Sequence, residues 1–362
     1  MQASNPDLKF WLAIMRVPNF GAIKISKLFR AFPSMERAFF ASKEELVMAG
    51  LDLPSIHLFL EERKNILPER EEEKLHKEQT TLITLADSNY PSRLKQIFDP
   101  PACFFLKGAL PDEQLTHLAV VGTRHPSHYG MRSTQSLVTS LAQSNVVIVS
   151  GLAYGVDTIA HKTTLEQNGK TIAVLGCGID DASIYPSGNK KLAQQITDSC
   201  GAVMSEFPFG ALPLKHHFPL RNRIIAGLSH GTIVIEAAQK SGSLITAKSA
   251  LENGRDVYAL PGPIDSPLSE GPNNLIKMGA TLITSVSDII DAPTMAKPTF
   301  SYVPQTAHEE QLLLHIQDHP IHIDELILLT NLPIDVTNST LTLLEMKGVI
   351  HHEGGRYYSR HA

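Results

Sequence analysis

The sequence predicts an α/β protein with a doubly wound parallel sheet at its centre, a helical region before the sheet and a winged helix after it. Three observations carry this reading. Seven short apolar runs alternate with helical patterns between residues 118 and 284. A proline-rich stretch without a clear period interrupts the chain at 291–307. Beyond it, three helical stretches are followed by a Gly354-Gly355 hairpin turn.

The first region, residues 7–65, reads as short helices. Leu8, Trp11, Leu12 and Met15 recur at helical spacing, as do Leu28, Phe29 and Phe32. Asn19-Phe20-Gly21 and Phe32-Pro33-Ser34 are turn signals. Ser42 with Glu45 three residues on predicts a capping box. The run from Glu61 to Glu78 mixes seven acids with five bases and reads as a solvated helix face.

The central runs are LAVVG (118–122), VVIVSG (146–151), TIAVLG (171–176), GAVMSE (201–206), GTIVIEA (231–237), DVYALPG (256–262) and ATLIT (280–284). They lack period-2 alternation, so strands buried on both faces are expected. Helical patterns between them, such as 131–143 and 243–253, make a βαβ series and hence a parallel sheet. Ligands of such sheets bind beyond the carboxyl ends of the strands. Gly122, Gly151, Gly176 and Gly262 stand at those ends, where glycine admits a close backbone or phosphate.

The last region reads as helices over 309–318, 323–330 and about 334–347, with Asn331-Leu332-Pro333 turning between the second and third. Helix, helix-turn-helix and wing make a winged helix. The domain boundaries expected are 1–80, 81–290, a linker over 291–307, and 308–362.

Composition sets limits on function. At roughly 150 residues per domain, 362 residues make two or three domains. Lys+Arg 32 against Asp+Glu 37 excludes a globally basic coat protein, so a polyanion site has to be local. From residue 305 to the end there are eight acids and three bases, so the tail alone carries the net charge of -5. Cys103, Cys177 and Cys200 are too widely spaced for a disulfide framework, a four-cysteine zinc site or a CxxC pair. Neither a secretory signal nor an apolar run of roughly 18 residues appears, so a cytoplasmic protein without membrane contact is expected.

Several constellations are candidates for chemistry. Gly176-Cys177-Gly178 lacks the third glycine of a dinucleotide fingerprint, and Asp180 and Asp181 follow it, so it reads as a tight strand exit. In 213-PLKHHFPLRNRIIAGLS-229, Lys215, His216, His217, Arg221 and Arg223 cluster around Phe218 where a helix starts. Cations for phosphates and a ring for a base suit single-stranded nucleic acid. The same arginines serve equally well as ties between loops. Arg124 in Val121-Gly122-Thr123-Arg124 follows the first central strand and can face the same crevice. Of the 16 histidines, His216-His217 and His351-His352 have no carboxylate or cysteine at ligand spacing, so no metal is expected. Glu206 and Glu236 end strand-like runs, either as general bases or as acceptors that hold loops.

The ordered motifs VVGTRHPSHYG, SGLAYGVDTIAH, TIAVLGCGIDDASIYPSGN, SEFPFG, HFPLRNRIIAGLS, EAAQKSGSLITA, GRDVYALPGP and GPNNLIKMGA resemble the DNA-processing protein A family (DprA, also called Smf) over about residues 80–285. The resemblance implies an extended Rossmann-like core, an N-terminal SAM-like helical domain and a C-terminal winged helix. It implies single-stranded DNA binding and delivery of the strand to RecA in natural transformation and homologous recombination, without catalysis or a cofactor. By matching position it assigns the DNA site to Arg124, Lys215, Phe218, Arg221 and Arg223, and the strand-end glycines Gly122 and Gly151 are counted with them as expected DNA-binding positions. It likewise assigns a homodimer and RecA surface to Ile276, Lys277 and Leu282, whereas Leu275 reads as core.

Two other classes compete. A nucleotide-processing hydrolase of the LOG/lysine-decarboxylase-like type needs a PGGxGTxxE loop. Here residues 228–236 keep only Gly231-Thr232 and Glu236. A transcription factor acting through the winged helix conflicts with the acidic tail.

Overall fold

The computed structural model describes residues 7–290, 304–316, 321–347, 349–354 and 357–360. The chain separates into two compact units, Met1–Asp291 and Ala292–Ala362.

The first unit begins with helices Leu8–Met15, Ala22–Ala31, Met35–Phe39, Lys43–Met48, Leu53–Glu62 and Pro68–Lys77. The capping box forms as expected. Ser42 Oγ accepts from the Glu45 N–H at 3.2 Å, and the Glu45 carboxylate accepts from the Ser42 N–H at 2.7 Å. Most of the charged helix Pro68–Lys77 faces water, but Leu75 and Glu71 turn inward. Phe10, Trp11, Leu28 and Phe59 pack in one apolar core with Phe105, Ala173, Leu175 and Val203 of the sheet. The helices therefore cover a sheet face, and each large apolar side chain buried there contributes about 1.5–3 kcal/mol.

Nine strands form one sheet: β1 (Thr81–Thr84), β2 (Cys103–Gly108), β3 (His117–Val121), β4 (Val147–Ser150), β5 (Thr171–Leu175), β6 (Ala202–Ser205), β7 (Gly231–Val234), β8 (Asp256–Ala259) and β9 (Thr281–Leu282). Their order is β1-β2-β6-β5-β4-β3-β7-β8-β9. All seven expected runs become strands, and they are mutually parallel. β3 to β7 are buried at every position, because helices cover both faces. β9 is exposed at both residues, being the outermost strand.

β1 and β2 were not among the expected strands. They run antiparallel, β2 against β6 and β1 against β2, and so extend the parallel sheet at one end. An antiparallel pair needs no crossover helix, so it falls outside a βαβ rhythm. Strand order reverses between β3 and β7, which places the topological switch point there.

The second unit holds helices Ala307–His315, Ile323–Thr330 and Ile334–Met346 with strands β10 (Ile321–His322), β11 (Ile350–Gly354) and β12 (Tyr357–Arg360), in sheet order β10-β12-β11. Asn331 ends the second helix in the left-handed region at φ 53. Leu312, Leu326, Leu341, Leu344 and Ile350 form its core. Most of the expected linker, 291–303, lies outside the described residues, as do Gly355 and Arg356.

Candidate nucleic-acid interface

Helix His217–Leu228 connects β6 to β7, and its first turn builds the site. His216 stands at the N-cap position without a side-chain hydrogen bond to the helix, so the first amides carry the positive end of the helix dipole. Spacing divides the turn. Phe218 and Arg221 fall on one flank, and Leu220 and Arg223 on the other.

The Phe218 flank meets the carboxyl ends of the central strands. A Cβ on Gly176, just after β5, would stand 2.9 Å from Phe218 Cδ1. A Cβ on Gly151, after β4, would stand 2.5 Å from Arg221 Nη2. What these strand-exit glycines admit is therefore a side chain of the helix. Arg124, on the loop after β3, lays its guanidinium over the Phe218 ring, 5.4 Å from the centroid. The Tyr185 ring is 6.0 Å from Phe218. Arg124, Gly151, Tyr154, Tyr185, Phe218 and Arg221 line one shallow depression.

Arg124 and Lys215 are exposed and Phe218 is half-buried. Lys215 stands on the turn that enters the helix, outside the lining of the depression. Gly122 is half-buried at the exit of β3. His217 stacks on Phe207 at 4.1 Å, and burial, followed by the neighbouring His216, pulls its imidazole below the ordinary value. Arg124 and Lys215 present their charges to solvent here.

The two motif arginines turn inward. Arg221 is 5% exposed. Its Nη1 donates to Gly151 O at 2.8 Å and to Val174 O, and its Nε donates to Asn222 Oδ1 at 3.1 Å. Burial lowers its guanidinium to about 10, against the pull of Asp157. Arg223 donates from Nη2 to both Glu206 oxygens, at 2.7 and 2.8 Å, and from Nε to Asp99 Oδ2 at 3.2 Å. Both arginines tie the helix to the sheet, which is the loop-tying alternative left open by the residues alone.

Both candidate general bases also hold structure. Glu206 is the bidentate acceptor for Arg223. Glu236, 2% exposed, accepts from the Ser127 N–H at 2.9 Å and from Ser127 Oγ at 2.5 Å. It thereby pins the start of helix His128–Gln143, after β3, to the end of β7, at the switch point. Gly178, in the tight strand exit, donates its N–H to Ala211 O. Among the described residues no group of three His, Cys, Asp or Glu side chains is placed to hold a metal ion.

Ile276, Lys277 and Leu282 lie at the far edge of the sheet, on helix Glu270–Lys277 and β9. Ile276 is half-buried, while Lys277 and Leu282 are exposed. Leu275 packs against the core as expected. Met278, 79% exposed, belongs to the same edge and was not singled out from sequence. Tyr154, Tyr185 and Asp157 were also missed. The available signal for the tyrosines was an aromatic in each loop that follows a glycine-ended central run.

Residues 81–293 match the family model for DNA recombination-mediator protein A, and residues 296–356 match the DprA winged helix domain. The Protein Smf of Synechocystis sp. is 33% identical over 399 residues, spanning 99% of this chain and 100% of that protein. The structure of DNA processing protein A from Streptococcus pneumoniae is 38% identical with a TM-score of 0.66, covering 78% of this chain and 96% of that one. DNA processing protein A from Helicobacter pylori, described for its single-stranded DNA binding mode, is 32% identical with a TM-score of 0.53, over 59% of this chain and 94% of that one.

Proposed function

The chain belongs to the DNA recombination-mediator protein A family, and from that membership we propose that it binds single-stranded DNA and delivers the strand to RecA in natural transformation and homologous recombination. It works in the cytoplasm as a homodimer, without catalysis and without a cofactor. The observation that carries this reading is the pairing of an exposed cation with a ring, Arg124 over Phe218, at the carboxyl edge of the sheet. A base stacks on Phe218, while Arg124 and Lys215 neutralise neighbouring phosphates. Gly122 and Gly151 contribute by their lack of a side chain, which lets Val156 and Arg221 respectively pack against the loops that carry the site. Arg221 and Arg223 contribute indirectly, by fixing the helix that presents Phe218. Sequence tolerance follows, because every base has a face to stack and every nucleotide has a phosphate.

Ile276, Leu282 and Lys277 at the sheet edge supply the dimer and RecA surface. Two copies joined there place two pockets along one strand and raise the effective concentration of the second. The hydrolase alternative loses ground because Glu206 and Glu236 are both engaged in holding loops. A gel-shift comparison of single-stranded and duplex oligonucleotides at two salt concentrations tests the proposal. Preferential, salt-sensitive retention of the single strand is expected, and equal retention of the duplex would count against it.

A further inference from the structure

Beside the Phe218 pocket the fold presents two tyrosines. Tyr154, on the loop after β4, is 48% exposed, and Tyr185, on the loop after β5, is 41% exposed. Both line the same depression as Phe218 and Arg124. Large aromatic surface left in water on two adjacent loops costs hydration free energy, so it calls for an explanation in binding.

The loop that carries Tyr154 is held tightly. Asp157 Oδ2 accepts from the Gly151 N–H at 3.1 Å and from the Ala153 N–H at 3.3 Å. Asn189 Nδ2 donates to Leu152 O at 2.8 Å and to Thr158 Oγ1 at 2.8 Å. Thr158 Oγ1 donates to Ala153 O at 2.6 Å. Leu152 is fully buried with φ 57, a left-handed leucine that persists only where its surroundings enforce it. The outer end of Tyr154 abuts the neighbouring loop, because a Cβ on Gly188 would lie 2.8 Å from Tyr154 Oη. The backbone is thus fixed and the ring tip rests against Gly188, while nearly half of the side chain remains open to water.

We propose that Tyr154 and Tyr185 form a second base-stacking subsite, which takes the unpaired nucleotide next to the one held on Phe218. The inference rests on the reading of this depression as a single-stranded DNA site and extends it from one base to two. Rigid aromatics suit this task, since a ring already held in place loses little freedom when a base lies against it. Neither tyrosine brings a charge, so the subsite adds affinity without a phosphate contact.

The test is fluorescence anisotropy with a labelled oligothymidylate across a salt series, on full-length protein whose folding is checked by thermal melting. Tyr154→Ala is expected to weaken binding roughly tenfold, the cost of one lost base stack. The slope of log K against log salt should stay as in wild type, because no counterion release is lost. Tyr154→Phe should restore affinity, whereas Tyr154→Leu, apolar but without a π face, should not. Tyr154→Trp serves if the alanine variant fails to fold, because the introduced indole should be quenched by the oligonucleotide while buried Trp11 supplies a constant background. Wild-type affinity in Tyr154→Ala, rescue by leucine, or unquenched fluorescence in Tyr154→Trp would each overturn the subsite. If Arg124→Ala also binds like wild type, the underlying DNA reading fails with it. If only Arg124→Ala is weakened, the second subsite alone is lost.

Discussion

Phe218 lies against the bare Cα of Gly176, so near that a methyl group there would come within 2.9 Å of its ring. A glycine at the end of a central strand thus sets the position of the ring proposed to stack on a base. Gly176→Ala is expected to displace Phe218 while the fold survives. Overpacking of this kind costs about 1–3 kcal/mol. Single-strand affinity should fall about as far as in Phe218→Ala. Thermal melting and oligonucleotide titration on the same samples check both parts.

Acid should weaken the fold through His161. This side chain is fully buried on helix Val156–Glu166, with Nδ1 2.7 Å from Thr171 Oγ1 and no partner at Nε2. Burial, reinforced by Arg221, holds its imidazole down to about 3. The unfolded chain takes a proton near pH 6.5 and the folded one does not. Stability is therefore complete above that pH and declines as pH falls towards 3, by about 1.4 kcal/mol per unit for this one group. Denaturant midpoints at pH 7.5 and 5.5 should differ accordingly. His161→Asn, which does not titrate, should reduce the difference.

Assembly through the sheet edge predicts a monomer from Ile276→Glu. The substitution brings an unpaired carboxylate into a small apolar surface, which costs several kcal/mol when the surface is covered. Light scattering should find the variant folded at half the wild-type mass. A monomeric wild type at micromolar concentration would remove the dimer.

The winged helix is expected to contribute little to strand binding. Its third helix, Ile334–Met346, buries Thr337, Thr340, Leu341 and Leu344. Its sequence contains no arginine to read guanine, and Leu343 on it is 50% exposed. Lys347, just beyond the helix, pairs with Glu309 at 2.8 Å. Deletion of residues 305–362 should leave single-strand affinity within a few-fold of wild type, and the expected role is regulation or contact with another protein. Tight duplex binding at physiological salt by the deleted segment, expressed alone, would contradict this.

Much of this fold was legible because burial on both faces writes continuous apolar runs, and all seven runs became parallel strands. β1 and β2 escaped because antiparallel strands need no helix between them. The site was half legible. Lys215, Phe218 and the arginines are neighbours in sequence, so their clustering was visible. The direction each side chain takes depends on partners far away in the chain. Arg221 finds Gly151 O and Val174 O, and Arg223 finds Glu206 and Asp99. The two exposed tyrosines went unremarked because each alone is one aromatic in a loop, and only their recurrence after two glycine-ended runs marks them.

The most direct test of the central claim is the salt dependence of single-strand binding in Arg124→Ala beside wild type, with Lys215→Ala as its companion. Each variant should remain folded, bind more weakly, and show a slope of log K against log salt reduced by about 0.7, the signature of one lost phosphate contact on a single strand. Wild-type affinity and slope in both variants would contradict the assignment of this site to single-stranded DNA.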